Sequence, residues 1–502
     1  MKRPASMAAA AMAVALASAA ALAEDTRFGP ADPVAKDPVQ FDPGRPIEKE
    51  LEVNVPDGFS AIAVGDLIIS RPVSQHAGEL PAFGDALEIL RGTDVTFGNL
   101  ETTIFDPRTF EGAPYSWDGD WTNASVPAVA GDLKAMGFDI VGRANNHSQD
   151  WGLEGMRETA RRLGETGIPH AGAGDSHRMA RAPAYFESPQ GRVAVVSFAS
   201  TFRPTSESLP PAATSPGRPG LSALRVTTTA LVPRSVVETL AQVQCKLYGT
   251  RCKDIPREGQ LFGTAYRQAD TFSYEHAMDP GDLAEIYAAI RSAQLNADFV
   301  IAAIHSHECS TGCDDDNEPR GAANFLKELA RGAIDSGADM FVATGNHNLG
   351  PIEIYDSPAR GKRPIFYGLG NFFWSDIQEM LPADLYARNR ELLEAAWKDP
   401  AKATEYDLTA PLNKQYFAHA FTFQSVIAEA RFQGKQLSEV VLHPVELGYG
   451  DRLTTSGIPR LVVDASTSRE ILDQIVKQTE QFGLPTLGIS YSGTRGIIAA
   501  GR

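Results

Sequence analysis

Phe299-Val300-Ile301-Ala302-Ala303-Ile304 runs directly into His305-Ser306-His307-Glu308, and this junction decides the fold. Six consecutive apolar residues, two of them isoleucine and one valine, read as a buried strand. The abrupt change to imidazole and carboxylate marks its carboxyl end, the edge where α/β sheets assemble their sites.

The same pattern recurs outward in both directions. Short apolar runs at Ser60–Val64, Val95–Gly98, Ile140–Gly142, Val193–Ala199, Met340–Ala343 and Ile365–Tyr367 alternate with helical patterns such as Leu153–Thr166 and Asn324–Ser336, the rhythm of an α/β protein. Polar clusters follow several of these runs. Gly65-Asp66 follows the first, Gly98-Asn99-Leu100-Glu101 the second, and Asn145-Asn146-His147 with Asp150 and Gly152 comes soon after the third. Asn346-His347-Asn348 follows Met340–Ala343. Parallel strands share one carboxyl edge, so clusters far apart in the chain are expected to converge there. Each cluster also has a bland reading. Gly-Asp after a strand is often a turn, and Asn145 and Asn146 tolerate left-handed backbone. It is their convergence that favours a site.

The residue types suit divalent ions of the Zn, Mn or Fe kind, because imidazole and carboxylate are borderline-to-hard ligands and a neutral Asn can coordinate through its carbonyl oxygen. A carboxylate shared by two ions about 3.5–4 Å apart is a known clamp for phosphoryl groups. Six histidines, His76, His170, His177, His276, His419 and His443, lack supporting clusters and read as structural or exposed. Ser200 and Thr201 follow a strand without a Gly-x-Ser-x-Gly elbow, which argues against a serine hydrolase.

The ends and the charge bound the setting. Lys2 and Arg3, the small apolar run Ala8–Leu22 and Ala21-Leu22-Ala23 before Glu24-Asp25 read as a signal peptide over residues 1–23. An exported protein, periplasmic or extracellular, is therefore expected, with no stable membrane span later in the chain. The formal charge is −17, and −19 once the two positive charges of Lys2 and Arg3 are removed. Such a surface repels phosphate backbones and disfavours nucleic acid as a partner. In an oxidising compartment the local pairs Cys245 with Cys252 and Cys309 with Cys313 read as two short-loop disulfides, with thiolate metal binding beside His305 and His307 as the rival.

Residues 24–57 carry six prolines among charged residues and read as a linker, followed by a core over 58–374. Two segments interrupt the core rhythm and read as insertions: about 203–275, which contains the Pro- and Ser-rich stretch Thr205–Gly220, and 375–419, with an amphipathic helix around Leu392–Trp397. Residues 420–502 then supply a hairpin across Gln433-Gly434-Lys435 and a last helix. That helix is expected to start at the capping box Thr467-Ser468-Arg469-Glu470, to face Ile471, Ile475 and Phe482 inward, and to stop at Gly483.

Taken together, several of these segments resemble the capsule synthesis (CapA, poly-γ-glutamate) family. They are Gly65-Asp66, Asn99-Leu100-Glu101, Ala144-Asn145-Asn146-His147 with Asp150-Trp151-Gly152, and Ala171-Gly172-Ala173-Gly174. The His305 segment, Gly345 to His347 leading into Pro351-Ile352-Glu353, and Tyr367-Gly368-Leu369-Gly370-Asn371-Phe372 complete the set, in order, across about Phe59–Trp374. The resemblance implies a calcineurin-like metallophosphoesterase fold, an α/β two-sheet sandwich flanked by helices with loop insertions. It also implies work on an anionic polymer or a phosphoester substrate, with one or two divalent metal ions. By that analogy Asp66, Glu101, Asn146, His305 and His347 are metal ligands, and His147, with Asp150 beside it, is the proton donor to a leaving group. The alternative is a non-catalytic capsule-polymer synthesis, export or binding factor on a degenerate metal site.

Three positions depart from the pattern. Asp66 is followed by Leu67-Ile68 where the superfamily has Asp-x-His, and His305-Ser306-His307 replaces His-Trp-Gly. Thr344 stands where the first of two late histidines falls. His307 is the neighbouring imidazole that would make up for that loss.

Overall fold

Alternating side chains in the apolar runs separate two sheets from their helices. The computed structural model describes residues 54–115, 121–250, 252–253, 255–310, 321–375, 378, 380–416 and 419–501. The expected signal peptide, most of the expected linker and Cys313 lie outside the described residues. The principal strands are β1 (Ser60–Ile69), β2 (Val95–Leu100), β3 (Ile140–Gly142), β4 (Gly191–Ala199), β5 (Phe299–His305), β6 (Met340–Thr344), β7 (Gly361–Phe366), β8 (Asn371–Ser375), β9 (Gln424–Gln433) and β10 (Gln436–Glu446). One sheet runs β10-β9-β1-β2-β3, with β8 pairing parallel to the second half of β1. The other has four parallel central strands in the order β7-β6-β5-β4, with Ile352–Ser357 and Ala184–Ser188 antiparallel at its edges.

Ala61, Ala63, Val95, Phe97 and Ile140 of the first sheet meet Val193, Val195, Phe299, Ile301 and Val342 of the second in one buried cluster. Their neighbours point the other way. Ile62, Val64 and Val141 pack under helices α1 (Pro81–Arg91), α2 (Ala128–Met136) and α3 (Gly152–Thr166) through Phe83, Leu87, Leu133 and Leu163. Val196, Val300, Ala302 and Ile304 pack under α4 (Pro280–Gln294) and α5 (Phe325–Asp335) through Ile286, Ile290 and Leu329. The result is the expected two-sheet sandwich flanked by helices. Each fully buried large apolar side chain contributes about 1.5–3 kcal/mol. Phe299, with ring centroids 5.1 Å from both Phe59 and Phe432, joins the two sheets; its truncation to Ala costs about 3–5 kcal/mol.

The break in β1 positions the site. Up to Ala63 the strand pairs antiparallel with β9, and from Asp66 it pairs parallel with β8, the register shifting at Asp66/Leu67. Gly65 permits the change: a Cβ there would lie 1.7 Å from the Gly370 carbonyl oxygen. The hairpin β9–β10 turns through Gly434-Lys435, with Gln433 paired to Gln436. The last helix, α6 (Ala465–Gln481), begins earlier than the capping box implied. Asp464 takes the N-cap, its carboxylate accepting from Thr467 N and from the hydroxyls of Ser466 and Thr467, so Thr467 is already inside the helix. Its inward face carries Ile471 and Ile475, as expected.

Both interrupting segments have structure of their own. Val226–Val232, Glu258–Leu261, Thr264–Gln268 and Ser273–Met278 form a four-stranded sheet, with the helix Arg234–Tyr248 packed on it and a disulfide joining Cys245 to Cys252. Cys309 is also held in a disulfide. In the second segment, the helix expected around Leu392–Trp397 spans Arg390–Ala395 and leaves Trp397 96% exposed. Leu381, Leu385, Leu393, Leu408 and Leu412 gather there, with Trp121 against them. Among the described residues no helix is long and apolar enough to cross a membrane.

Candidate metal centre

Strand ends deliver the polar groups to one place. Asp66 lies in β1 just past the Gly65 break, and Glu101 follows β2. His305 ends β5, and His347 stands three residues after β6. Ligand-capable atoms of Asp66, Glu101 and His305 lie within 4.8 Å of one another, and so do those of Glu101, His307 and His347. The two trios share Glu101. They thus bring together five of the residues singled out in the sequence.

The first trio is fully buried and tightly braced. Asp66 Oδ1 accepts from Asn99 Nδ2 at 2.8 Å, and Asp66 Oδ2 accepts from Gly345 N at 2.9 Å. Asn145 Nδ2 in turn donates to Asn99 Oδ1 at 3.2 Å and to the Leu100 carbonyl at 2.9 Å. One chain of amides therefore ties the ends of β1, β2 and β3 to the turn after β6. His305 Nδ1 lies 3.4 Å from Asp66 Oδ1 and 3.1 Å from Thr344 Oγ1. These contacts occupy Nδ1 and orient Nε2 toward Glu101 Oε1, 3.4 Å away. Thr344, at the position of the missing histidine, therefore helps to orient the His305 ring.

The second trio is partly exposed and depends on turns. His307 lies beyond β5, its N–H donating to Thr201 Oγ1 at 2.7 Å and its Nε2 2.9 Å from His305 Nε2. Glu308 braces the turn by accepting from Ser200 (2.7 Å), Thr201 (3.0 Å) and Ser306 (2.7 Å). His347 has φ +56°, a left-handed conformation rare outside glycine that histidine visits more readily than most residues. Its Nδ1 pairs with Asn371 Oδ1 at 2.8 Å and lies 3.5 Å from Asp66 Oδ2. Asn371, from the Tyr367–Phe372 segment, orients this histidine because the β8–β1 register sets it opposite Asp66.

One carboxylate in this pocket has no hydrogen-bonding partner. Glu101 is 0% exposed, and neither carboxylate oxygen has a hydrogen-bond donor. Burial first, then the nearby charge of Asp66, push its carboxyl well above the usual range. For Asp66 burial acts in the same direction, but hydrogen bonds and charges from His305 and His347 outweigh it and hold the carboxyl well below its ordinary value. Burial lowers His305, only partly offset by Asp66. The buried Asn146 Oδ1 also lacks a partner. Unpaired buried oxygens are rare and costly. Oxygen acceptors beside neutral imidazole nitrogens are what a divalent cation requires, so these residues fit the expected metal.

Beside the trios, His147 Nδ1 lies 2.6 Å from Asp150 Oδ2, leaving Nε2 3.8 Å from Glu101 Oε1. Asp150 is fully buried and also accepts from Asn123 N at 2.5 Å. Asn146, His147 and His307 line a cavity of 260 Å³ with Trp121, Thr201, Phe202, Arg203 and Pro204. Gln378, from the second interrupting segment, fixes the Trp121 wall by bonding Thr122 O and Ala124 N, both at 3.0 Å. The sequence reading missed Trp121, between β2 and β3, and Arg203 and Gln378, which lie in the two interrupting segments.

The family described as bacterial capsule synthesis protein PGA_cap matches residues 60–375. The uncharacterized protein y4sH of Sinorhizobium fredii is 41% identical over 441 residues, 86% of this chain and 91% of its own. The PGA biosynthesis protein CapA of Bacillus subtilis is 25% identical over 320 residues, 63% of each chain. Among solved structures, a hypothetical protein from Thermus thermophilus is similar at TM-score 0.30 and 11% identity, over 80% of this chain and 96% of that one.

Proposed function

We propose, from the premise that the chain belongs to the bacterial capsule synthesis (PGA_cap) family, that it is an exported, metal-dependent phosphoester-hydrolase-type protein serving capsule, poly-γ-glutamate or other cell-envelope polymer metabolism. The observation that carries this reading is Glu101, a buried carboxylate without a donor on either oxygen and common to two ligand trios. Asp66, Glu101 and His305 would hold one divalent ion of the Mn, Zn or Fe kind. Glu101, His307 and His347 would hold a second, with the Asn146 carbonyl available to either. Such ions supply Lewis-acid polarisation of a phosphoryl group and activation of water.

The protein's own residues supply the rest. Asp150 holds the His147 ring by Nδ1 and presents Nε2 to the centre, where it delivers a proton to the leaving oxygen. The Asn145–Asn99 amide chain keeps Asp66 fixed while substrate charge changes. Trp121, Phe202 and Pro204 wall the cavity and limit water beside the reacting group. The disulfide Cys245–Cys252 accords with an oxidising compartment.

Elemental analysis of the purified full chain, paired with bis-p-nitrophenyl phosphate and p-nitrophenyl phosphate, tests the reading. One or two equivalents of divalent metal and chelator-sensitive turnover are expected. Protein that stays metal-free after reconstitution and turns over neither compound would overturn it, leaving the non-catalytic polymer-synthesis role, which loss of polymer in a deletion strain then tests.

A further inference from the structure

Arg203 is 4% exposed, and its guanidinium meets groups from two other segments of the chain. Nη1 donates to the Tyr115 carbonyl, and the Tyr115 N–H donates to the Asp150 backbone carbonyl at 2.6 Å. Nη2 stands 3.0 Å from Asp150 Oδ1, at ion-pair range but off the hydrogen-bonding angle. Asp150 therefore uses one oxygen for His147 and Asn123 and has the other facing a buried cation.

We infer that Arg203 is a positioning residue: by pairing with the Asp150 oxygen that His147 does not use, it locks the carboxylate that aims His147 Nε2 at the shared centre. The inference rests on the site reading given under Proposed function and deepens it. A carboxylate held on one side only can rotate about its Cβ–Cγ bond, and the imidazole hydrogen-bonded to it follows. Two buried anchors on opposite oxygens remove that freedom, as partners beyond the ligands do at many metal sites, where their loss costs 10–100-fold in activity. The competing account is a plain staple between the start of the first interrupting segment and the core. A staple affects folding but does not act through the His147 ring.

Full-length protein carrying Arg203→Ala or Arg203→Lys separates the two. With bis-p-nitrophenyl phosphate, Arg203→Ala is expected to lower kcat by about 10–100-fold, with KM and bound metal near wild type. Arg203→Lys should recover part of the loss, and so should added guanidinium with the Ala variant. A second readout is independent of turnover. The short His147–Asp150 bond should give a far-downfield imidazole N–H proton signal, assigned by its absence in His147→Ala, and Arg203→Ala should shift or abolish it. An unchanged signal in a folded Arg203 variant overturns the inference, as does a kcat loss that merely tracks lost folded protein or lost metal. If Arg203→Ala does not fold, Arg203→Lys carries both readouts. If wild type turns over no phosphoester, the hydrolase reading fails, and the proton signal still decides the positioning role.

Discussion

The two candidate ligand trios share one carboxylate but are built differently. Asp66, Glu101 and His305 sit on or just past strand ends and are fully buried, and Asp66 and His305 are braced by amide and hydroxyl contacts. His307 and His347 sit on turns, are partly exposed, and one of them occupies a left-handed conformation. The first trio is fixed by the sheets themselves. The second is fixed by Glu308, Thr201 and Asn371, which hold two loops against the sheets. Rigid elements hold ligands more accurately than loops do, so the first trio should bind metal more tightly.

Removing the shared group should have the largest effect. Glu101→Gln keeps the shape but removes the charge common to both trios, so bound metal should fall to near zero by elemental analysis. A variant retaining a full equivalent would show that the trios do not depend on Glu101. Next in size is Gly345→Ala. Gly345 has φ +98°, donates to Asp66, and a Cβ there would lie 2.8 Å from Ser306 N and O. The backbone strain alone costs about 1–3 kcal/mol, and displacing the turn disturbs both trios. A lowered urea midpoint together with metal loss is expected; full metal content at wild-type stability would count against the bracing described here. A smaller and more selective effect is expected of His307→Ala. It should release one metal equivalent and leave the one held by Asp66, Glu101 and His305, whereas His305→Ala should release the tighter equivalent. Equal losses from both variants would erase the distinction between the trios.

Much of the braced trio was legible in the sequence because it follows local rules. An apolar run of strand length ends, a polar residue follows, and parallel strands bring those ends together. Asp66, Glu101 and His305 obey this rule. Thr344 looked like a lost ligand, and only the parallel register of β5 with β6, which pairs His305 with Thr344, reveals its support of the imidazole. Asn371 and Arg203 were hidden for the same reason, since each meets its partner through tertiary contact and not through chain spacing. The small sheet within Val226–Met278 was missed on physical grounds too. Its strands are largely half-buried or exposed, with burial patterns that scarcely alternate, so they carry little of the period-two signal. The start of α6 was misplaced because Asp464, three residues before Thr467, caps the helix by accepting the Thr467 N–H, which leaves Thr467 inside it.

The smallest expected effect concerns protons in the metal-free protein, and it separates the shared carboxylate from its buried neighbour. Burial and the charge of Asp66 raise Glu101 well above its ordinary value, so the folded state retains that proton longer than the unfolded chain does. The associated stabilisation is complete below the unfolded value near 4.5 and is lost as pH rises toward the folded value. Asp66 has the opposite sign. Despite burial, its histidine partners depress it, so its contribution is present above about 3.8 and is lost as pH falls below that. Relative to Glu101→Gln, chelated wild-type protein should therefore lose stability as pH rises from 4.5 to 7.5, on the order of 1 kcal/mol per pH unit while Glu101 titrates; burial lowers His305 and His170, whose opposite contributions are common to both proteins. Glu101→Gln has no proton to lose there, so its stability should rise relative to the chelated wild type between pH 4.5 and 7.5 even though it binds no metal. Urea midpoints at the two pH values measure the difference. An equal pH slope in both proteins would place the titrating group elsewhere, and the unpaired carboxylate of Glu101 would no longer be the feature that sets the two trios apart from an ordinary polar core.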